Sequence, residues 1–302
     1  MEYISSYEYE SNVNPTLIKI PIASKNIRDV SDGITQIKFS EYYNIPYPAT
    51  SPNLLAHFIK LKSDQIVVVP SAEKASSHFF YVIEGKGEIT VDNQKFAFSK
   101  GDIFIAPVCE YLFIYNSGKD NSGKDDNEKE LQIYYINDSP LLNYLGSKPI
   151  TPTFKPALYS HEYLQNQLQL LSNPNNNRKG ILLSNQDTEK IRINTITPVL
   201  WALYNELPPH TKQRPHRHNS VALDLCIYSS GEGKVYTLIS ETLDEQGELV
   251  NPTKVEWNTS EMFITPPTLW HSHHNEGDEN AYVLPIQDAG ILLYQRILGI
   301  EF

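Results

Sequence analysis

FFYVIEGKGEITVDNQKFAFSKGDIFIAP, residues 79–107, strings together short runs rich in β-branched and aromatic side chains: FFYVIEG (79–85), KGEITV (86–91), KFAFS (95–99) and DIFIAP (102–107). Gly, Pro, Asn and Asp bound the runs, which is the punctuation of short antiparallel strands. The same texture returns at LDLCIYS (223–229) and KVYTLI (234–239). Twenty prolines, 14 glycines and 19 tyrosines in 302 residues do not suit a helical bundle. The reading is therefore an all-β chain of sandwich or barrel type with a few short helices. One helix is predicted over SHEYLQNQLQLLS (160–172), where Leu164, Leu168 and Leu171 recur at helical spacing before the breaker NPNNNRKG (173–180). Shorter helices are expected at PLLNYLG (140–146) and ILLYQRILG (291–299).

Working outward, the chain repeats itself. IEGKGEIT (83–90) returns as SSGEGKVYT (229–237), GDIFIAP (101–107) as SEMFITP (260–266), and INDSPLLNYLG (136–146) as IQDAGILLYQRILG (286–299). Three matched blocks in the same order read as a tandem duplication. They divide the chain into an N-terminal arm (1–50), a first β-domain (51–146), a connector with a helix (147–196) and a second β-domain (197–302). Between the last two blocks of the first half, NSGKDNSGKDDNEKE (116–130) carries NSGKD twice and no large apolar residue. It reads as a mobile hairpin extension.

Composition excludes several classes of function. Lys and Arg total 25 against 36 Asp and Glu, a formal charge of −11, and no basic run occurs. Nucleic acid and anionic membrane are therefore not expected partners. No apolar run approaches the roughly 20 residues of a membrane span. MEYISSYEYE at the start lacks the basic-then-apolar pattern of a secretory leader. Cys109 and Cys226 are too few for a disulfide scaffold and sit in apolar contexts. The expectation is a soluble, cytoplasmic protein. Open sheet edges point to a homo-oligomer, and Tyr3, Tyr7 and Tyr9 suit the arm to covering an edge or packing across a subunit boundary.

Chemistry concentrates in the second half, where five of the nine histidines fall in two groups: Pro215-His216-Arg217-His218 and Trp270-His271-Ser272-His273-His274-Asn275. On a strand, residues i and i+2 share a face, so His216 and His218 converge. Imidazole is the commonest metal ligand, and three of them from two strands hold one side of a metal while leaving other positions open.

This HxH pair, the acidic residue downstream, the Gly-x-Gly turn and the later Pro-Pro-x-x-Trp-His together resemble the two cupin motifs, and their duplication resembles a bicupin. The implied fold is two tandem cupin (double-stranded β-helix, jelly-roll) barrels. Within that superfamily the chain is most similar to the gentisate 1,2-dioxygenase group, which includes salicylate and hydroxynaphthoate ring-cleaving enzymes. The stretches carrying the likeness are PHRHNSVAL (215–223), GEGKVYT (231–237), FITPPTLWHSHHNEGDE (263–279) and YVLPIQDAGILLYQRILG (282–299).

The resemblance implies His216, His218 and His271 as ligands of Fe(II), although Zn, Mn or Ni suits the same imidazoles. Asp224 stands where cupins carry a glutamate, as a fourth ligand, an acceptor for an imidazole N–H, or a polar residue facing outward. His273 shares a face with His271 and is a candidate proton donor or substrate contact, or else a residue of the rim. Arg214 would clamp a substrate carboxylate if its strand extends that far and otherwise lies on the surface, and Trp270 would belong to the core or wall the pocket. Arg217 faces away from the ligands, and His274 is expected on the exposed side. Asp288 recurs as Asp138, which speaks for a structural turn. Aligned on Gly85, the first half has Pro70 and Ala72 for the HxH pair, Leu112 for His271 and His78 for Asp224, so its metal set is lost. In gentisate-type bicupins the first domain usually keeps the iron, so here the arrangement is inverted. The implied reaction is oxidative ring opening of a small anionic hydroxy-aromatic acid. A non-oxidative metal cupin (isomerase, lyase or hydrolase) and a non-catalytic small-molecule-binding cupin are the alternatives.

Overall fold

The computed structural model describes every residue except 1, 2, 15, 71, 118–129 and 172–178. Most of the doubled NSGKD and of the 173–180 breaker lies outside the described residues. Each half is built from a six-stranded sheet facing a four-stranded one. In the first half, Leu55–Leu61, Ser77–Glu84, Ile103–Pro107 and Leu131–Asn137 belong to the larger sheet. Ile66–Val68, Lys86–Val91, Gln94–Ser99 and Leu112–Tyr115 form the smaller. In the second half the larger sheet contains Trp201–Leu207, Ala222–Tyr228, Glu261–Thr265 and Ala281–Gln287. Opposite it lie Thr211–Lys212, Val235–Ser240, Thr253–Glu256 and Trp270–Asn275. The all-β reading, with short helices only, holds. Among the described residues no helix is long and apolar enough to cross a membrane.

The edges of the larger sheets are supplied from elsewhere in the chain. Ser24–Asn26 pairs with Glu261–Thr265 of the second half, while Gly33–Ile37 pairs with Leu55–Leu61 of the first. Ala157–Tyr159 adds to Ile103–Pro107, and Lys179–Leu183 adds to Trp201–Leu207. Segments outside the duplicated blocks thus satisfy backbone groups that would otherwise be open to another chain. Tyr3, Tyr7 and Tyr9 remain exposed.

Strand alternation divides the apolar residues into two kinds of core. Phe58, Phe79, Tyr134 and Ile136 on the first sheet and Tyr204, Leu223, Leu225 and Ile286 on the second belong to one buried cluster, so the larger sheets pack against each other. The helix His161–Gln169 joins this cluster through Leu164 and Leu168, with Ser160 capping its start. Leu171 falls beyond the helix end and is exposed. Two other short helices, Ser139–Tyr144 and Ala289–Tyr294, follow Asp138 and Asp288. Those carboxylates accept from the Ser76 and Ser77 amides and from the Val221 amide respectively, pinning equivalent strand starts in both halves.

The inward-facing residues differ sharply between the barrels. In the first, Phe80 stacks on Tyr135 at 4.4 Å and His57 lies against the same ring at 4.7 Å. The Tyr135 hydroxyl accepts from Asn137 (3.0 Å) and reaches His78 Nδ1 (2.8 Å), while His78 Nε2 points at the Ala72 carbonyl (3.3 Å). A carbonyl only accepts, so the His78 proton sits on Nε2 and Tyr135 donates to Nδ1. Burial holds both imidazoles neutral, pushing His57 down to about 3 and His78 to about 4.

The ladder also corrects the alignment between halves. His78 pairs with Asn137 as Ala222 pairs with Gln287, and Phe80 pairs with Tyr135 as Asp224 pairs with Pro285. Phe80, not His78, therefore takes the place of Asp224. The Gly85 anchor misleads because a single residue joins its two strands, whereas residues 229–234 separate the corresponding pair in the second half.

Candidate metal centre

Where the first barrel stacks Phe80 on Tyr135, the second has Asp224 and Pro285, and the lost ring volume opens a cavity of about 60 Å³. His216, His218, His271 and His273 line it together with Asp224 and Gln287. Local register accounts for the convergence. His271 and His273 lie on one face of the strand Trp270–Asn275, and His216 meets His271 in an isolated antiparallel bridge. Their backbones exchange both hydrogen bonds, at 2.9 and 2.8 Å. Ring centroids are 4.2 Å apart for His216 and His271, 4.9 Å for His218 and His271, and 5.7 Å for His271 and His273. Among the described residues, one nitrogen from each of His216, His271 and His273 falls in a group spanning no more than 4.8 Å. His218 lies just outside that group, its ring centroid 6.3 Å from that of His216.

Hydrogen bonds on the far ring nitrogens set which form each imidazole takes. His218 Nδ1 lies 2.9 Å from the Ser220 carbonyl and His271 Nδ1 lies 3.0 Å from the Leu269 carbonyl. Each Nδ1 therefore carries the proton, and each Nε2 keeps its lone pair, the form a metal requires. His273 differs, because its Nδ1 meets the Thr237 hydroxyl at 2.8 Å, and that oxygen already accepts from Trp257 Nε1 at 2.8 Å. Thr237 is wholly buried, so its hydroxyl proton is satisfied by donation to His273 Nδ1, which leaves the His273 proton on Nε2. The donor set thus fits a divalent metal of the imidazole-binding kind.

The remaining candidates are placed as follows. Asp224 is buried and faces the cavity, where it accepts from the Thr265 hydroxyl at 2.5 Å, so the outward-facing option is gone. Arg214 is exposed and does not line the cavity, because residues 213–215 are in no strand and the expected alternation stops short of it. Trp270 faces away from the cavity, with the Arg217 guanidinium 4.6 Å over its ring. His274 is on the outer face as expected but is buried, stacked on Tyr236 at 4.8 Å, and burial lowers its pKa. Sequence reasoning missed Asn205, Ile300 and Phe302 as cavity residues. The I-E-F alternation at 300–302 was the available signal for the last two.

Compared with known proteins, residues 59–121 match the cupin domain family. Over its length the chain superposes on salicylate 1,2-dioxygenase from Pseudaminobacter salicylatoxidans with a TM-score of 0.70, covering 98% of this chain and 91% of that one at 13% identity. The chain has the bicupin fold. A variant of the same enzyme in complex with gentisate gives a TM-score of 0.69, with 96% and 88% coverage and 13% identity. A cupin 2 conserved barrel domain protein from Leptotrichia buccalis gives 0.52, with 90% and 100% coverage and 14% identity. In sequence, this bicupin is 35% identical over 75 residues to 5-aminosalicylate 1,2-dioxygenase of a Comamonas species, a match spanning 25% of this chain and only 18% of that protein's length. The cupin family match lies in the half whose barrel is filled, not in the half that holds the histidine cavity.

Proposed function

We propose that this bicupin is a non-haem Fe(II) dioxygenase that opens the ring of a small hydroxy-aromatic acid of the salicylate or gentisate kind. His216, His218 and His271 are the ligands, and His273 is a hydrogen-bond donor beside them. The observation carrying this reading is the division of tautomers: carbonyl-bound Nδ1 atoms on His218 and His271, against a hydroxyl-bound Nδ1 on His273. When bound, iron(II) supplies electron exchange with dioxygen and a Lewis-acidic point for the substrate's carboxylate and hydroxyl oxygens.

The chain's own residues do the rest. Ser220 and Leu269 hold two imidazoles in orientation through their backbone carbonyls. No Lys or Arg is among the described residues lining the cavity, so neutral donors must complement the metal in meeting the substrate's negative charge. His273 Nε2–H is one such donor. Gln287 is held by the Ser220 hydroxyl at 2.6 Å, which fixes its amide at the cavity wall. Asn205 adds a second amide, and its buried Oδ1 has no partner among the described residues, so it is available to accept from a ring hydroxyl or amino group.

The test is metal analysis of purified and anaerobically reconstituted protein, followed by oxygen uptake with salicylate, gentisate and 5-aminosalicylate. The expected result is about one iron per chain, lost in His216→Ala, His218→Ala and His271→Ala, with oxygen consumed alongside one of these acids. Iron-loaded protein that consumes no oxygen with any of them, or turnover that persists without oxygen, overturns the reading.

A further inference from the structure

Residues 297–302 return to the histidine cavity after the last short helix. Ile300–Glu301 pairs antiparallel with Arg217–His218, Ile300 opposite His218 and Glu301 opposite Arg217. Strand alternation then turns Ile300 and Phe302 inward, where both line the cavity, and Phe302 stacks on His216 at 5.7 Å. Glu301 points the other way and holds Arg217 through Nε at 3.0 Å and Nη2 at 2.7 Å. The same guanidinium lies over Trp270. Asn219 ties down the approach, donating to the Ile297 carbonyl at 2.7 Å and accepting from the Gly299 amide at 2.9 Å.

Two features of the segment bear on how firmly it is held. The segment is a two-residue strand whose residues remain substantially exposed, and its latch is a surface ion pair of the kind that contributes little by itself. With Phe302 in the wall of a cavity of about 60 Å³, an aromatic acid beside His216 has to share the space with that ring.

We infer that Ile300–Phe302 is a detachable strap over the histidine cavity: Arg217 and Glu301 latch it, Phe302 occupies space an aromatic acid needs, and the strap swings out to admit substrate and then closes on the ring. The choice of an aromatic acid rests on the function proposed above, whereas the strap itself does not.

The experiment compares the wild-type protein with Glu301→Arg and Phe302→Ala. Hydrogen exchange is followed by mass spectrometry over 216–220 and 297–302, with 222–228 as an internal reference. In the iron-loaded proteins, the rate at which 1,10-phenanthroline removes iron is measured anaerobically. In the wild type the strap should exchange faster than the reference strand, and Glu301→Arg should accelerate strap exchange by about fivefold while leaving 222–228 unchanged. Both variants should lose iron to the chelator several-fold faster. Strap amides as protected as 222–228, or exchange unaltered by Glu301→Arg, would overturn the inference. Faster exchange and extraction in protein that consumes no oxygen with any hydroxybenzoate would support the strap and remove the dioxygenase reading.

Discussion

Replacing Thr237 by Val removes one oxygen and keeps the branched shape of the side chain, and two hydrogen bonds depend on that oxygen. Trp257 Nε1 donates to it and it donates to His273 Nδ1, both at 2.8 Å in a buried setting. An indole N–H left buried without an acceptor costs about 1–3 kcal/mol. Loss of the orienting bond to His273 adds about 0.5–1.5 kcal/mol, for a total of about 1.5–4.5 kcal/mol. At no more than about 2–4 °C per kcal/mol for a chain of this size, the melting midpoint should fall by roughly 3–18 °C, nearer the lower end. Without the donor at Nδ1, the His273 proton is no longer confined to Nε2, and oxygen uptake with the preferred acid should fall by about tenfold to a hundredfold. Iron content should stay near that of the wild type, because the three proposed ligands are untouched. Thr237→Ser keeps the hydroxyl and should restore both stability and rate to within about twofold. Calorimetry, metal analysis and an oxygen electrode read the three quantities. Iron lost together with activity would make His273 a ligand and refute the division of roles, and unchanged activity would refute its role as donor.

Further outcomes follow from the contrast between the barrels. Tyr135→Ala removes the ring between Phe80 and His57 and should destabilise the protein by about 3–5 kcal/mol, measured by denaturant unfolding, while iron content is unchanged. Stability should fall on acidification. His57 and His78 are held at about 3 and about 4 when folded, against 6.5 in the open chain, so the unfolded state takes up protons first. Their stabilising contribution is therefore complete above about pH 6.5 and is lost as pH falls toward about 4 for His78 and about 3 for His57, by up to about 1.4 kcal/mol per pH unit for each group. Asp138 and Asp288, raised by burial above 3.8, act in the opposite direction, strengthening the folded state as pH falls. His57→Phe keeps a ring against Tyr135 and should reduce the slope of stability against pH between about 6.5 and 5 by about one proton's worth.

Some of this was written in local sequence. Strand runs, the duplicated blocks and both histidine groups were legible because alternation and turn residues act over a few positions. The buried carboxylates of Asp138 and Asp288 were legible too, since they recur at matched places in the two halves. The register between the halves was not, because the one-residue turn at Gly85 and the longer connection at 229–234 shift the apparent alignment by two residues. Arg214 was read toward the cavity by carrying strand alternation two residues back from His216, and Trp270 as pocket wall from its place beside His271. A break in the ladder before His216 and the one-residue offset from His271 place them outside it.

By itself, the sequence determined that the chain is a doubled β-structure and that its candidate metal-binding side chains belong to the second half. These are properties of residue type and short-range spacing. Only the tertiary structure decided which barrel has room for chemistry, since that depends on whether Phe80 and Tyr135 or Asp224 and Pro285 face each other across paired strands. It also decided that Ile300 and Phe302 line the cavity and that Thr237 and Trp257 stand behind His273. Those contacts join positions distant in the chain, and strand pairing and packing, not local propensity, bring them together.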